Sequence, residues 1–585
     1  MFRSLLFTIF LSIACFNVNA QMDHRLTPGE IQQLPLYGLT RGSSAATTSS
    51  ILPPASNVRT IGEWEEIQGL VVAWVSYPSM LREIIRNARL ECKVYVVCSN
   101  AQTVINDLQN NNIDTSNVVF VVTPFNSVWS RDYGPWSVYT NDVDSLLTID
   151  WIYNRVRPND DAVSVAIANA INSPLYQTTS APWNLVNTGG NFMTDGFGTA
   201  FSSNLILTDN LPSAGYGGTQ NASGIDTIVK HFMGINRYIR FPTLPYDAIH
   251  HIDMHLKLLN EETLLVGQYP QGVADGPQIE ANLQYILANY NSVYGTPYKV
   301  IRMPMPDDNG IYPNTSGRYF TYTNSSFINK TLIFPTYNIP ADTIALRIYK
   351  DALPGYNVVG INSLVSIGAL GALHCITKEL GTADPLLISH QQLPNTTDTI
   401  NNYAVIARIQ HRSGIANATL YFRTDTLQPW QSVPMNSLSS QINYWGGSIP
   451  AQQIGTRVYY YIEAQSNSGK HQVRPIPAPS GYWYFDITGV TGIATSEIST
   501  NQLGTAFPNP SKGITCIPIS LAQNSSVTAG FYDETGRLLI PIQNGNLSKG
   551  EHKLFMNTES IASGIYLIKV NIGTQSYIQK IAVRF

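Results

Sequence analysis

Four side chains in this sequence, if folding brings them together, suit attack on a cationic carbon: Asp132, His251, Asp253 and Cys375. A guanidinium is flat, permanently charged, and presents its donors in a fork that a carboxylate meets with paired hydrogen bonds. Asp132 and Asp253 could hold such a cation from two sides. Their grip would fix its plane so that the Cys375 thiol meets the central carbon perpendicularly, and positioning of this kind lowers a barrier by as much as about 7–11 kcal/mol. His251 could then protonate the departing nitrogen. Once ammonia had left a covalent thiouronium behind, the same imidazole could activate the water that releases a urea.

Each residue also has a plainer reading. Asp132 lies in Trp129-Ser-Arg-Asp-Tyr-Gly-Pro-Trp136, after a strand expected at Val118–Val122. An acid among aromatics is costly to bury unless it meets a cation, and that cation could be a ligand or the neighbouring Arg131. Gly134, Pro135 and Trp136 read as a packed turn. A strand is expected at His250-His-Ile-Asp-Met-His255, and alternation would set His251, Asp253 and His255 on one face. Such a face could also bind zinc, as in a metallohydrolase, or serve structure alone. Cys375 follows Gly368-Ala-Leu-Gly-Ala-Leu-His374, whose small residues permit close backbone approach. Alone it reads as a buried inert thiol; as a nucleophile it needs positive charge nearby, from His251 or a cationic substrate.

The elements that must position these residues repeat. Apolar strands open at Leu70-Val-Val-Ala-Trp, Leu146-Leu-Thr-Ile-Asp-Trp, Leu205-Ile-Leu-Thr, Leu264-Leu-Val-Gly and Leu332-Ile-Phe. Amphipathic helices follow at about Ser79–Leu90, Asp160–Asn172, Gly224–Asn236, Pro277–Tyr290 and Ala341–Ala352, and each leads to a second strand. A module that cannot bury its own faces must stack on its neighbours, and five of them most simply close into a ring. The candidate residues follow the second strands of the first, third and fifth modules, so a ring would bring them to one centre.

At 585 residues several domains are expected. With 35 basic against 39 acidic residues, charge points to neither nucleic acid nor an anionic membrane. Residues 1–20 read as a secretory signal, with Arg3, an apolar run from Leu5 to Phe16 and small residues before Gln21. Ser12 stands where a lipoprotein signal at Cys15 would carry an aliphatic residue. No later apolar stretch is long enough to span a bilayer. Residues 21–56 read as a polar pro-segment, with Gly42–Ser50 an unfolded linker. Cys92 and Cys98 flank one strand, roughly 20 Å apart at about 3.3 Å per residue, too far for a bridge. After a module region at 57–384, residues 385–490 hold alternating strands and no helix signal, as in an immunoglobulin-like sandwich. Residues 495–585 are again all β. With Phe507-Pro-Asn-Pro510, Asp533-Glu-Thr-Gly-Arg537 and Gly564-Ile-Tyr566 in order, this segment resembles the C-terminal sorting domain of type IX secretion substrates of Bacteroidetes. That resemblance implies the type IX machinery as a partner, and release outside the cell or attachment to the outer-membrane surface.

Glu63-Trp-Glu65, Trp129–Trp136, Gly189-Gly-Asn191, His251-Ile-Asp253, Tyr322-Thr-Asn-Ser325 and His374-Cys375-Ile-Thr377 together resemble the guanidine-modifying pentein superfamily, in its agmatine deiminase and bacterial peptidylarginine deiminase branch. The likeness runs from about Ile61 to Leu380. It implies an α/β five-bladed propeller, here followed by two all-β sandwich domains. It also implies Cys375 as nucleophile, His251 as general acid/base, Asp132 and Asp253 as guanidinium clamps, Asn324 as a further polar contact and Trp129 as a substrate-side residue. Asp150-Trp-Ile-Tyr-Asn-Arg-Val-Arg-Pro-Asn-Asp161, expected to end a strand, would set Arg155 and Arg157 on one face as a fork for a carboxylate, or pair them with Asp160 or Asp161. The segment is similar to the substrate-carboxylate site of Porphyromonas-type peptidylarginine deiminases. Peptide or protein arginine, preferably C-terminal, is thus the expected substrate, with agmatine the rival and a non-enzymatic adhesin the reading without chemistry. The resemblance implies no cofactor, calcium included, and the sequence shows no acidic calcium loop. One departure is Leu370-Gly-Ala, where agmatine deiminases carry a glycine-richer run.

Overall fold

The computed structural model describes residues 23–40, 49–50, 52–270, 275–306, 320–489, 500–507, 509–511, 514–558 and 560–584. The expected signal at 1–20 lies outside them, as do residues 42–48 of the expected linker.

Five small sheets, built alike, carry residues 57–384. In four, an antiparallel pair leads through a helix to a parallel third strand: Trp136–Thr140, Leu146–Tyr153 and Leu175–Thr178; Met193–Thr194, Thr199–Ser203 and Arg237–Phe241; Leu256–Asn260, Thr263–Gln268 and Lys299–Pro304; Ser326–Ile328, Thr331–Thr336 and Asn357–Asn362. In the remaining sheet Ile67–Ala73, Lys93–Cys98 and Val118–Val122 run parallel, and its antiparallel partner is Lys378–Gly381 from the far end of the region. That pairing joins the last module to the first. The helices bury one stripe each: in Pro78–Ala88 the stripe is Met80, Leu81, Ile84, Ile85 and Ala88, the spacing that faces a sheet. Asn100 and Asn221 cap their helices by accepting a backbone N–H, and Gly234 closes Ala222–Met233 in a left-handed conformation, φ 70°.

Two expectations change. Leu205-Ile-Leu-Thr opens a short helix, Leu205–Asp209, and the strand is Thr199–Ser203 just before it. An apolar run of this length fits either state. Here the Ser203 hydroxyl accepts the Leu205 N–H and turns the chain out of the sheet. The segment after residue 20 is also more than a polar linker. Thr27 and Glu30 form a reciprocal capping box, Glu30 N to Thr27 Oγ1 at 3.2 Å and Thr27 N to Glu30 Oε2 at 2.7 Å. They start a helix over Pro28–Thr40. Leu26 and Leu34 pack against Ile152, Val186 and Tyr216, and Ser49–Ser50 pairs with Leu175 and Tyr176.

The rest is β-rich. Residues 387–486 form eight strands around Val405, Leu420, Ile449, Tyr460 and Phe485. Residues 502–583 form a three-stranded and a four-stranded sheet around Ile517, Phe531, Leu554 and Ile568. No described helix is long and apolar enough to cross a membrane. Cys92, Cys98, Cys375 and Cys516 are free and buried.

Candidate active site

Three short helical turns at strand ends carry the expected residues to one place. Asp132 lies in Ser130–Tyr133, Asp253 in Ile252–Met254 with His251 just before it, and Cys375 in His374–Ile376. The second turn replaces the expected strand at His250–His255. A helical turn abolishes the alternation, so His255 does not join His251 and Asp253: it lines a separate cavity with Leu244, Asp247 and Tyr269. The metal reading on His251, Asp253 and His255 therefore fails on geometry.

Cys375 Sγ is 3.7 Å from Asp253 Oδ2, and Asn324 Nδ2 donates to the sulfur at 3.3 Å. Asn324 Oδ1 accepts the His374 N–H at 3.0 Å, so this asparagine also holds the turn that presents the thiol. Asp132 Oδ1 accepts the Gly190 N–H at 3.0 Å, and His251 Nδ1 lies 3.6 Å from the same oxygen. His251 Nε2 meets Thr188 Oγ1 at 3.3 Å. A Cβ on Gly190 would fall 2.5 Å from His251 Nδ1, and one on Gly371 would fall 2.3 Å from the Trp129 ring. Both positions thus require glycine. Leu370, in the departing run, takes the left-handed φ of 65° that glycine favours, at a cost of roughly 1–2 kcal/mol.

Behind Asp253 stands a charge network that the sequence did not disclose. His374 bridges Asp253 Oδ2 at 2.7 Å and Glu63 Oε1 at 2.9 Å. Lys257 donates to Glu63 at 2.7 Å, Arg131 meets Glu379 at 2.7 Å, and Lys378 reaches Glu379 at 2.6 Å. Arg131 therefore turns away from Asp132, which removes the structural pairing offered for that acid. Glu63 and His374 lay inside the quoted motifs, but only the fold reveals whom they touch.

The partner of Asp132 is His24, from the segment before the modules. Its Nε2 donates to Asp132 Oδ2 at 2.5 Å, its Nδ1 lies 3.0 Å from the Leu370 carbonyl, and its ring stacks on Trp129 at 4.1 Å and 5°. Arg155 Nε donates to the His24 carbonyl at 2.9 Å. Arg157 donates to Glu30 Oε1 at 2.7 Å and to the carbonyls of Asp23 and Arg25 at 2.8 and 3.1 Å. Arg155 and Arg157 lie in the coil after Tyr153 instead of on a strand. Arg157 and Asp160 act on each other through their charges, while the hydrogen bonds to Asp160 come from Asn126 and Ser127, and Asp161 accepts the Tyr153 N–H. Among the described residues His24, Asp132 and His251 are grouped closely enough to hold a metal, although His24 and Asp132 bond directly.

Charge follows this packing. Burial would raise the Asp132 carboxyl, but His24 and His251 hold it well below the ordinary carboxylate range. Burial lowers His251 to about 3, so its imidazole is neutral. Burial pushes the Cys375 thiol well above its ordinary value, and the charges of Asp253 and Asp132 push the same way.

Two carboxylates, a neutral imidazole and a thiol around one cation position define a hydrolase that breaks the C–N bond of a guanidino group. The chain belongs to the Porphyromonas-type peptidyl-arginine deiminase family, whose match spans residues 59–380, more than half its length. Residues 505–584 match a secretion system C-terminal sorting domain. A Vibrio parahaemolyticus protein described as an agmatine deiminase is 24% identical over 292 residues, covering 45% of this chain and 78% of that one. A Porphyromonas gingivalis structure described as an arginine deiminase is 21% identical with a TM-score of 0.49, covering 56% and 99%. A further structure described as an agmatine deiminase is 18% identical with a TM-score of 0.51, covering 58% and 100%, a likeness of fold.

Proposed function

We propose that this protein converts peptidyl arginine, preferably at a free C-terminus, to citrulline and ammonia. The observation that carries the reading is the facing of Cys375 and Asp253, with Asp132, whose charge also bears on the thiol, already holding a flat ring. A guanidinium between the two carboxylates cancels the charges that keep the thiol protonated. As the sulfur bonds to the central carbon, the thiol proton passes to His251 and from there to the departing amine. Ammonia leaves, and the cation remains as thiouronium. His251 then takes a proton from water, whose oxygen displaces the sulfur to give the urea.

The choice of peptide over agmatine rests on Arg155 and Arg157. Between them they bind three carbonyls and one carboxylate of the segment that covers Asp132. A distal ammonium would face two cations there, whereas a peptide end meets partners. We further propose that the five sheets close as the blades of one propeller, that residues 385–490 form an immunoglobulin-like sandwich, and that the sorting domain directs the enzyme through type IX secretion to the outer surface of a Bacteroidetes cell. Ammonia release from an arginine-ended peptide and from agmatine, measured side by side after proteolytic removal of residues before Val58, tests the substrate. Faster turnover of agmatine overturns the peptide reading.

A further inference from the structure

We propose that Asp23–Tyr37 is a tethered pseudosubstrate that keeps the site closed until the chain is cut between Thr40 and Val58; this rests on the deiminase reading of the same site. His24 does what a substrate guanidinium would do. Both its ring nitrogens face groups that only accept, the Asp132 carboxylate and the Leu370 carbonyl, and only a doubly protonated, flat, cationic ring can donate to both. It lies against Trp129 face to face and edge-on to His251 at 4.9 Å. Being an imidazolium, it offers Cys375 no carbon with a leaving amine.

The backbone completes the mimicry. The His24 carbonyl sits on Arg155, and the Asp23 and Arg25 carbonyls with the Glu30 carboxylate sit on Arg157. Glu30 thus caps the start of its own helix and engages the arginine proposed to read a substrate carboxylate. His24 and Asp132 are both fully buried, so no substrate reaches Asp132 while the segment is in place. Between Arg25 and Arg59 the only basic residue is Arg41, which offers a single point for a trypsin-like cut. Cutting turns a tethered competitor at roughly millimolar effective concentration into a dilutable peptide.

The test uses the full chain, the chain cut after Arg41, and the full-length variants His24→Ala and Glu30→Gln. Chloroacetamidine, a flat cation bearing an electrophile, reports access through mass-spectrometric labelling of the Cys375 peptide; citrulline formation reports chemistry. The expected result is labelling at least about tenfold faster in the cut chain and in His24→Ala, a smaller gain in Glu30→Gln, and a lowered KM with kcat little changed. Arg41→Ala should resist activation by the protease. Equal labelling in all forms overturns the proposal and leaves the deiminase reading standing. Faster labelling with no citrulline from any arginine substrate supports closure and overturns the deiminase reading instead. Full relief of the intact chain by a chelator would assign closure to a metal on His24, Asp132 and His251, and would also overturn the proposal.

Discussion

Asp132 and Asp253 are both buried, and each is met by a histidine whose two ring nitrogens both face acceptors. The difference lies in where the histidine comes from. His374 adjoins Cys375 in the permanent framework and is backed by Glu63 and Lys257. His24 comes from outside the modules, 108 residues before its partner. One carboxylate therefore has a fixed countercharge and the other an exchangeable one. The exchangeable position is where a cation of outside origin must bind, because a buried carboxylate left unpaired is costly.

Replacing Cys375 with Ala should abolish citrulline formation in every form of the protein while leaving the thermal transition in place. Unchanged turnover would remove the nucleophile and empty the comparison of chemical meaning. The two acids should then separate. Asp132→Asn and Asp253→Asn should each lower kcat/KM by about a hundredfold or more, since breaking a buried ion pair costs roughly 3–5 kcal/mol. In the cut chain, where His24 has left Asp132, only Asp253→Asn should also lower Tm, because it leaves His374 half-satisfied, and equal thermal shifts there would contradict the distinction. Asp132→Asn in the cut chain carries a second mark. A negative charge beside a thiol disfavours the thiolate, so removing it lowers the Cys375 pKa. Iodoacetamide should then label Cys375 faster at pH 8, although turnover is lost. The smallest effect expected is one of preference: Arg155→Ala with Arg157→Ala should erase, by about tenfold, any advantage of benzoyl-arginine over its amide. An unchanged ratio would show that the pair serves the leader segment and structure alone.

The repeat was legible because apolar runs and helix stripes are local properties, and the candidate residues were legible because they follow those runs. Leu205–Thr208 misled because three apolar residues and a threonine fit helix or strand. His250–His255 misled because alternation of residue types mimics a strand wherever a tight turn carries polar groups inward. The bridge from Asp253 through His374 to Glu63 spans 311 residues between its last two members, and no local pattern encodes such a partner. His24 was hidden more thoroughly. It stands in a polar stretch that reads as linker, and the one local signal of order there is the Thr27–Glu30 capping box.

The central claim is that Cys375 forms a covalent bond to the central carbon of a guanidinium held between these two acids. Acid quenching of the cut chain during turnover of an arginine-ended peptide, followed by mass analysis of the Cys375 peptide, tests it most directly. The account predicts a thiouronium adduct on Cys375, equal to the substrate less ammonia and absent in Asp132→Asn. Ammonia released with no adduct at any time, or an adduct on another residue, would contradict it.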